Sequence, residues 1–543
     1  MIRIHELKLK IGEAEEKLAE KAEKRLRLAP GSISDVRIAK ESVDAREKPV
    51  IYRVFSLDIA SDHLPDEKLL AVAKKAGVKA AKTPQDEHYH FPEPTRLPMR
   101  RPVVCGFGPC GMFAALTLAL YGLKPIVLER GPAMEERVAA VERFWKTGEL
   151  DPNANVQFGE GGAGTFSDGK LTTGTRDAAQ RFVLETLAEA GADPSILYKQ
   201  KPHVGTDVLR RVVVNIRKRI EALGGELRFS ARMTSVEIED GSVRAVIVNG
   251  RERIPCDVLI FGIGHSARDT VQYLFESGLC MQQKPFSMGV RIEHPQKLID
   301  RAQFSADSGV LGIGAADYKL NVKTASGRGV YTFCMCPGGQ VVAAASSPGL
   351  LVTNGMSNAD RAAENANSAL LVDVRTSDFG SEHPLAGMDF QERYEHLAFE
   401  LGGSDYRAPA QTVGSFLGTS DGEKDAEKTV CPSYRPGVRF TDIRKCLPGF
   451  VSDSIEEALP LLDRKLSGFA DPSAVMTAIE SRSSSPVRIL RGETGEALLS
   501  DGSTVKGLYP GGEGAGYAGG IMSAAVDGIH LAEKSVQGGK NNE

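Results

Sequence analysis

The sequence predicts an α/β protein of several domains built around a parallel sheet, and three observations support this fold class. A strand, a glycine-rich turn, a helix and a second strand follow one another between Arg101 and Arg130. Another glycine-rich turn precedes the last helix, and short strands joined by Asp-Gly and Asn-Gly turns lie between the two. At 543 residues the chain is too long for one hydrophobic core.

Composition narrows the class of protein. The chain is 41% hydrophobic with a net charge of −4, and no apolar stretch approaches the roughly 20 residues that span a bilayer. The N-terminal residues lack the apolar core of a signal peptide. The eight cysteines have neither disulfide-framework nor zinc-site spacing, and Cys334-Met335-Cys336 is too tight for a zinc knuckle. We therefore expect a cytoplasmic protein with no metal site and no membrane partner.

Residues 1–82 are predicted to form a small N-terminal α+β domain with the order βαββα. Its predicted elements are a strand at Met1–Lys10, a helix ending before Pro30, strands at Ile33–Ala39 and Val50–Ile59 around a polar turn, and a helix at Asp66–Ala76. Residues 1–48 hold 12 Lys or Arg and 10 Asp or Glu, so the domain does not favour nucleic acid. We expect it to dock another protein or a second protomer, with RNA binding as the alternative. Residues 83–100, rich in proline, are predicted to be a linker.

The first glycine-rich turn predicts a dinucleotide site. A strand at Val103–Cys105 enters Gly106-Phe107-Gly108-Pro109-Cys110-Gly111, a helix follows, and a second strand ends at Glu129. The glycines allow a tight turn, a close approach of a pyrophosphate and close helix packing, and the helix N-terminus attracts phosphate. Glu129 stands where an acid accepts hydrogen bonds from a ribose. Residues 101–279 are assigned to this Rossmann-type domain.

A second glycine-dense loop runs from Gly159 to Lys170. Five glycines within eleven residues suit a backbone that lies flat against a ligand, because each costs conformational entropy when it is ordered. A flexible surface loop is the alternative, and we favour the ligand.

Short strands follow predicted helices over residues 178–223. The strands are predicted at Leu227–Phe229, Ser235–Ile238, Val243–Val248 and Ile254–Phe261, and they suggest a three-stranded β-meander followed by a further strand. The consecutive apolar residues Val258–Phe261 are typical of a parallel strand buried on both faces. We expect this strand to return to the first sheet and Gly264 to approach the cofactor.

Residues 280–430 are predicted to be an inserted α+β cap domain that holds a small-molecule substrate. Strands are expected at Phe286–Ile292, Tyr331–Cys336 and Val341–Ala345. A helix is expected at Asn358–Leu371, after a turn and N-cap at Asn354–Ser357.

Residues 431–543 are assigned to the second part of the cofactor domain. A polar run, Glu480–Arg488, is expected between a helix and a strand. A strand then ends in the glycine-rich turn Gly511–Gly520, which carries Glu513 and opens a helix at Ile521. Two anion-stabilising helix starts far apart in sequence suit a cofactor longer than NAD, with phosphates at one and an electron-accepting ring at the other. The sequence therefore predicts FAD.

Several motifs carry a family resemblance: GEGGAGTFSDGKL, TFCMCPGG, NGMSNADR, ESRSSSPVRI and PGGEGAGYAGGIMSAAVDG. The chain resembles bacterial FAD-dependent, or NAD(FAD)-utilising, dehydrogenases within the glutathione-reductase-like FAD flavoproteins. The resemblance implies that the first turn holds the pyrophosphate, Glu129 the ribose, and Gly161 to Thr165 the flavin, with Glu513 where the wider superfamily more often has Asp. The candidate cofactor-binding residues are Gly106, Gly108, Pro109, Cys110, Gly111, Glu129, Arg130, Gly161, Gly162, Ala163, Thr165, Gly264, Glu513, Gly514, Gly520 and Ile521.

Lys170, His265 and Arg482 are the candidate catalytic residues. Lys170 is expected to neutralise a reduced flavin or bind an anionic substrate, and Arg482 to clamp a carboxylate or phosphate. His265 is a candidate proton donor. The alternatives are salt bridges for Lys170 and Arg482 and a structural capping role for His265. Cys110 is interpreted as a small residue at a helix start, with redox sensitivity as the alternative.

These features predict an FAD-dependent oxidoreductase that transfers hydride through flavin N5 to or from a small organic substrate. No second dinucleotide-binding domain is evident, so NAD(P)H is a candidate only as a transient reductant. The lack of a Cys-x₂₋₄-Cys pair near the flavin segments argues against a disulfide reductase, and the single Trp145 without a WxWxIP motif argues against a halogenase. The alternative function is a flavin-bound factor that docks RNA or protein through residues 1–82.

Overall fold

The computed structural model describes residues 1–48, 50–83, 88–420 and 430–537. Pro49 of the predicted polar turn, Pro84 of the predicted linker and part of the predicted cap domain lie outside these ranges. None of the helices in the described ranges combines the length and apolar character needed to cross a membrane.

The N-terminal domain is a four-stranded antiparallel sheet with two helices. Its elements are β1 (Ile2–Lys10), α1 (Lys17–Leu26), β2 (Asp35–Asp44), β3 (Tyr52–Ala60), α2 (Asp66–Lys75) and β4 (Ala80–Lys82). The strand order β2-β3-β1-β4 interleaves two βαβ units. The predicted βαββα order is correct as far as it goes, but it lacks β4. The residues of α1 that recur at helical spacing, Leu18, Ala22 and Leu26, are buried in this domain's own core.

Residues 101–283 contain most of a second unit, which we call the parallel-sheet unit. Its elements are β5 (Val103–Cys105), α3 (Pro109–Leu120), β6 (Ile126–Leu128), α4 (Met134–Thr147), α5 (Ala179–Glu189), α6 (Thr206–Ala222), β7 (Glu226–Arg228), β8 (Met233–Glu239), β9 (Ser242–Val248), β10 (Glu252–Pro255), β11 (Leu259–Phe261), α7 (Arg268–Glu276) and β12 (Met281–Gln283). Strands β8, β9 and β10 form the predicted antiparallel meander. The predicted strand from Ile254 to Phe261 is two strands, because β10 stays in the meander and β11 enters the main sheet.

Residues 284–480 contain the insert. Its elements are β13 (Phe286–Pro295), α8 (Gln296–Phe304), α9 (Ser308–Leu311), β14 (Asn321–Lys323), β15 (Gly329–Cys336), β16 (Gln340–Ala343), β17 (Thr353–Met356), β18 (Asn365–Val374), α10 (Ala386–Gly402), β19 (Ala408–Thr412), α11 (Val413–Phe416), β20 (Val438–Phe440), α12 (Gly449–Asp463) and β21 (Val475–Glu480). Seven of these strands form one sheet in the order β14-β15-β18-β13-β21-β19-β20. The predicted strands at Phe286, Tyr331 and Val341 are confirmed.

The predicted helix at Asn358–Leu371 is wrong, because this segment contributes strand β18. Every residue of β18 except Asp373 is buried, and the strand pairs with β13 on one side and β15 on the other. Burial on both faces removes the alternation of polar and apolar residues that usually marks a strand. The predicted N-cap at Asn354–Ser357 is corrected with it, since Thr353–Met356 is strand β17.

The predicted end of the insert at residue 430 is also wrong. Strands β20 and β21 belong to the seven-stranded sheet, and the apolar residues of α12 pack in the same core. The insert therefore extends to Glu480, and the segment before the polar run is a strand rather than a helix. Sequence separation concealed this, because β21 pairs with β13 across almost 200 residues.

The chain then returns to the parallel-sheet unit through β22 (Val487–Ile489), β23 (Leu508–Pro510) and α13 (Ile521–Ser535). Strand β23 completes a parallel five-stranded sheet in the order β23-β11-β5-β6-β7. Helix α13 crosses α3 closely, since a Cβ at Gly528 would overlap the carbonyl of Cys110. The carboxyl ends of β5, β11 and β23 therefore lie together, and each leads into a glycine-rich segment.

Short 3₁₀ helices lie between these elements, at Ala163–Phe166, Pro194–Leu197, Thr376–Phe379 and Ile443–Cys446. The described part of the predicted linker lies against the parallel-sheet unit. The hydroxyl of Tyr89 donates to Glu533 at 2.6 Å, and the ring of Phe91 meets that of Phe182 edge to face at 4.9 Å. These contacts anchor the segment between the N-terminal domain and β5.

Candidate functional site

The first glycine-rich turn is packed where two of its glycines lie and open at the third. A Cβ at Gly106 would overlap the carbonyl of Gly262, and a Cβ at Gly111 would overlap the carbonyl of Gly106. At Gly108 the nearest atom to such a Cβ is 3.8 Å away. Helix α3 begins directly afterwards, and the N–H groups of its first turn have no acceptor within the helix. The open side of Gly108 and these N–H groups suit a phosphate.

Glu129 ties the first turn to the second glycine-dense loop. Its Oε2 accepts a hydrogen bond from the N–H of Phe107, and its Oε1 accepts from the N–H groups of Gly131 and Gly159, all at 2.9 Å. The side chain is buried. A carboxylate offers about four acceptor positions, so three bonds leave one free on Oε2. The predicted ribose contact therefore has an available oxygen and stays a prediction.

Arg130 borders a cavity of about 720 Å³ at the carboxyl end of β6. Its guanidinium forms a two-bond ion pair with Asp269 at 2.9 and 3.0 Å and lies 4.2 Å from the ring centre of Phe158. Arg232 and Asn249 line the same cavity. Its volume is within the range of about 300–1,000 Å³ that ligand pockets occupy. This position and its polar lining suit the adenosine end of a dinucleotide.

The loop from Gly159 to Lys170 is held in place by a buried arginine on α4. Arg137 donates four hydrogen bonds to carbonyl oxygens: to Asn155 at 3.1 Å, Val156 at 2.9 Å, Glu160 at 2.6 Å and Gly162 at 3.0 Å. Burial lowers the pKa of Arg137 to about 10. The surface-loop alternative does not fit these contacts, because the loop is ordered by the core beneath it.

The same loop packs directly on the first turn. A Cβ at Gly162 would lie 2.9 Å from Cα of Gly108, and a Cβ at Gly164 would lie 3.3 Å from the side chain of Ile521. Gly161 and Gly162 both have positive φ, at 87° and 62°. The residues predicted to hold the flavin, including Ala163 and Thr165 in a 3₁₀ turn, thus border the N-termini of both α3 and α13.

The third glycine-rich segment closes the site from the other side. A Cβ at Gly514 would overlap the backbone of Gly264, so the segments after β11 and β23 touch. Gly264, Gly519 and Gly520 have no atom within 4 Å of an added Cβ. Gly520 precedes the first turn of α13, so the positive end of this helix faces open space. An open, glycine-lined space at a helix N-terminus fits the anionic edge of a flavin ring.

Glu513 is the acidic side chain of this third segment. Burial raises its pKa to about 7. The charge of a Cys334 thiolate also raises this pKa, and the positive charge of Lys284 lowers it. Its Oε1 lies 4.0 Å from Nε2 of His265. Glu513 therefore changes protonation state near neutral pH, which its position in the sequence does not predict.

His265 is held as a neutral imidazole. Its Nδ1 lies 2.9 Å from the hydroxyl of Ser266. Burial, together with the charges of Arg482 and Arg268, lowers its pKa to about 3. A neutral ring is a poor source of a proton, so the geometry favours the structural alternative, and the role of His265 as a proton donor stays a prediction.

Arg482 is committed to a buried ion-pair cluster. Its Nε and Nη2 donate to Glu395 at 3.0 and 2.8 Å, and its Nη1 donates to the hydroxyls of Ser266 and Ser346. Arg268 donates to both oxygens of the same carboxylate at 2.9 Å. Since these bonds use four of the five N–H groups of Arg482, the structure favours the salt-bridge alternative over the ligand clamp. The cluster joins the insert, through α10, to the segment after β11.

Lys170 and Asp168 join the glycine-dense loop to the insert. The ammonium of Lys170 donates to the carbonyl of Met335 on β15. Asp168 accepts from the hydroxyl of Ser357 and forms a two-bond ion pair with Arg361 at 2.6 and 3.0 Å. Lys170 thus has a partner within the protein, yet it lies at the boundary between the loop and the insert, where a ring and substrate would meet.

Cys110 is not a reactive thiol in this structure. A Cβ added at Gly511 or Gly512 would lie 3.0 or 2.7 Å from its side chain, and burial raises the pKa of Cys110 well above the usual value. The interpretation as a small residue at a helix start fits this packing, and the redox-sensitive alternative does not.

Sequence reasoning missed Arg137, Asp168, Glu395 and the pair Cys334 and Cys336. Arg137 lies on a helix rich in charge, where nothing local distinguishes a buried arginine from an exposed one. Glu395 acquires its role from partners 87 and 127 residues away. The spacing of Cys334 and Cys336 is too tight for a zinc knuckle, and no other local pattern assigns the pair a role.

Two family models match the chain. Residues 285–483 match the family described as FAD-dependent protein, C-terminal domain-like, and residues 1–60 match a domain of unknown function. The first match spans the seven-stranded sheet and supports an FAD flavoprotein. Its limits agree with the corrected boundaries of the insert.

A relative and several solved structures add to this. An uncharacterised protein of Clostridium beijerinckii is 46% identical over 537 residues, which cover 99% of this chain and 98% of that protein. The chain belongs to the same family as that protein.

Three distant solved structures resemble the chain, and such likenesses do not assign a reaction. A flavin-dependent brominase has a TM-score of 0.35 at 10% identity, covering 80% of this chain and 79% of its own. A glycerol-3-phosphate dehydrogenase from Bacillus halodurans complexed with FAD has a TM-score of 0.35 at 11% identity, and the match covers 81% of this chain and 65% of that one. A 2-methyl-3-hydroxypyridine-5-carboxylic acid oxygenase has a TM-score of 0.31 at 11% identity, and the match covers 80% of this chain and 82% of that one.

Proposed function

We propose that this protein is an FAD-dependent oxidoreductase that transfers hydride to or from a small organic substrate. The observation that carries the proposal is the meeting of three glycine-rich segments at the carboxyl ends of β5, β11 and β23. Their packed sides are closed by backbone contacts, while an added Cβ would meet no atom within 4 Å at Gly264 or Gly520 and none closer than 3.8 Å at Gly108. A long cofactor with a pyrophosphate and a flat ring matches this arrangement.

The residues present support a proposed position for each end of the cofactor. The turn at Gly106–Gly111, Glu129 and the cavity beside Arg130 suit the pyrophosphate and adenosine. The loop Gly159–Lys170 and the N-terminus of α13 suit the ring. When bound, the flavin supplies hydride transfer through its N5 atom.

The protein's own groups would position charge and protons around that ring. The N-terminus of α13 stabilises negative charge that develops on reduction. Glu513, with a pKa of about 7, can hold or release a proton beside it. Neutral His265 can donate or accept one hydrogen bond, but its low pKa makes it a poor source of a proton.

We propose that the substrate lies between this ring site and the insert. Lys170 and Asp168 of the glycine-dense loop meet Met335 and Arg361 of the insert there. The reductant stays open, and NADH and NADPH are the first candidates to test. Residues 1–82 are proposed to dock a partner rather than to take part in the reaction.

The test compares FAD affinity in two valine variants. At Gly108, φ is −76° and a Cβ meets no protein atom closer than 3.8 Å, so Gly108→Val is compatible with the fold. Its side chain would occupy the open side where the pyrophosphate is expected. We expect a loss of FAD affinity of more than about tenfold, equivalent to about 1.4 kcal/mol, with unchanged circular dichroism.

Gly314→Val is the matched control, because Gly314 is exposed and an added Cβ there meets no atom within 4 Å. Its FAD affinity is expected to equal that of the wild type. Equal affinity in Gly108→Val would contradict the proposed pyrophosphate site. Anaerobic reduction of the bound flavin by NADH or NADPH, followed by reoxidation with candidate substrates, then tests the reaction class.

A further inference from the structure

Two cysteines that the proposed function does not use stand on strand β15, one residue apart. Cys334 is partly exposed and Cys336 is buried. The pairing of β15 with β18 is interrupted by a bulge between Phe333 and Cys336. Within the bulge Cys334 has a φ of 41°, a left-handed conformation that residues other than glycine seldom adopt. Sγ of Cys336 lies 3.3 Å from the carbonyl oxygen of Cys334.

Two cations hold the bulge. Arg291 donates from Nη1 to the carbonyl of Cys334 at 2.9 Å, and Lys170 donates to the carbonyl of Met335 between the two cysteines. A hydrogen bond from the Cys336 thiol lowers the pKa of Cys334 below its usual range, and the charges of these two cations act in the same direction. Burial opposes this shift but does not cancel it. The pKa of Cys336 is raised by the Cys334 thiolate and by burial. One thiolate and one thiol therefore share the bulge.

This thiol pair borders the proposed flavin site. Lys170 is the last residue of the glycine-dense loop, so its contact with Met335 brings that loop against the bulge. Glu513, in the third glycine-rich segment, interacts electrostatically with the Cys334 thiolate. The bulge thus contacts the glycine-dense loop and lies within electrostatic range of the third segment, and both are assigned to the ring.

We propose that Cys334 and Cys336 form a redox-active dithiol that exchanges electrons with the bound flavin. The inference rests on the proposed FAD function and extends it to a second redox centre. When the S–S bond forms, the Cys334 thiolate and the Cys336 thiol together release two electrons and one proton, and oxidised FAD accepts both. In the reverse direction reduced FAD returns two electrons and one proton, and the S–S bond breaks.

The arrangement gives the two sulfurs different tasks. Cys334 is the partly exposed thiolate, and thiolates are the species that react. Cys336 is the buried thiol beside it that closes the disulfide. The two cysteines are separated by one residue. In the bulge the Cys336 thiol lies within hydrogen-bond range of the Cys334 side chain.

An anaerobic titration of the FAD-loaded protein with dithionite tests the proposal. The protein is first oxidised with diamide, a thiol-specific two-electron oxidant, which is then removed. We expect the wild type to take up twice as many electrons per flavin as Cys334→Ser or Cys336→Ser, because only the wild type holds a disulfide in addition to the flavin. Cys431→Ser is the control, since Cys431 is an exposed cysteine outside the bulge, and it should behave as the wild type.

Peptide mapping of the same samples provides a readout that does not depend on the flavin. In the oxidised wild type, the peptide that contains both cysteines should lack two hydrogens and resist alkylation until a reductant is added. Free alkylation of both cysteines after oxidation, or equal electron uptake in the wild type and both serine variants, would overturn the dithiol. A protein that binds no FAD would instead overturn the proposed function, and the electron exchange with it.

Discussion

Glu395 joins the insert to the segment after β11 through buried ion pairs. Its side chain is fully buried between Arg268 and Arg482, and together these cations hold its pKa below the usual range against the effect of burial. Glu395→Ala would leave the buried guanidinium of Arg482 without a carboxylate and that of Arg268 with only the more exposed Glu392. We expect a loss of about 3–5 kcal/mol in the free energy of unfolding, measured by urea denaturation.

Glu392→Ala is the matched control for this prediction. Glu392 lies on the same helix and contacts Arg268 at 3.3 Å, but its side chain is 46% exposed. Exposed ion pairs contribute at most about 1 kcal/mol, so this variant should be nearly as stable as the wild type. Equal losses in the two variants would show that the buried cluster has no special role.

Glu513 predicts a pH dependence of stability in the flavin-free protein. Its pKa rises from a usual value of 4.5 to about 7 on folding, so the folded protein holds this proton more tightly than the unfolded chain. The stabilisation from that proton is complete below about pH 4.5 and is lost as the pH rises through about 7. We expect Glu513→Gln to remove this loss.

The measurement compares the free energy of unfolding at about pH 5 and about pH 8 in the wild type and in Glu513→Gln. The difference between the two proteins should change with pH in the predicted direction. Glu149→Gln, at a side chain that is 73% exposed, should follow the wild type at both values. A pH-independent difference for Glu513→Gln would place its titration outside this range.

At the scale of the element, helix α4 carries a prediction about the glycine-dense loop. Arg137 donates to four carbonyls, of which those of Glu160 and Gly162 belong to this loop, and each such bond from a charged donor contributes roughly 1.5–3 kcal/mol. Arg137→Met keeps much of the side-chain volume but removes all four donors. We expect FAD affinity to fall by at least about tenfold and the loop to become sensitive to limited proteolysis.

Lys146→Met on the same helix is the control, because Lys146 is exposed and lies outside the lining of the cavity beside Arg130. It should bind FAD as the wild type does and resist proteolysis equally. An Arg137→Met protein with normal affinity and an intact loop would show that the glycines alone order this segment.

The sequence predicted those elements whose signal is local. The strand, turn and helix from Val103 onward, the meander and helix α13 follow from glycines and apolar runs a few residues apart. Strand β18 was missed because burial on both faces hid its alternation, and the end of the insert was missed because β21 pairs with a strand far away in sequence. Ion pairs such as Arg482 with Glu395 were missed for the same reason, since no local pattern fixes them.

At the scale of the whole molecule, the N-terminal domain is predicted to be dispensable for cofactor binding. It has its own hydrophobic core. Its described links to the remainder include two backbone hydrogen bonds of Glu41, with Tyr198 at 2.9 Å and Gln200 at 2.8 Å, and one from Lys48 to the carbonyl of Ala302. A protein that begins at residue 83 should therefore keep its FAD affinity and its reduction kinetics.

Loss of a binding partner from this shortened protein, with unchanged reduction kinetics, would support docking as the task of residues 1–82. The shortened protein keeps Tyr89 and Phe91, whose contacts anchor the linker, so its unfolding temperature should stay close to that of the longer chain. Loss of FAD binding on shortening would contradict the assignment of the whole cofactor site to residues beyond 100.

The chemical identity of the bound cofactor tests the central claim most directly. The protein is purified, its absorbance spectrum is recorded, and the compound released on denaturation is identified by mass spectrometry and counted per chain. We expect FAD at close to one molecule per chain, since one set of glycine-rich segments forms one site. A colourless protein that also fails to bind added FAD would contradict the claim, and so would a protein that holds FMN, because FMN has no pyrophosphate or adenosine for the turn at Gly106–Gly111.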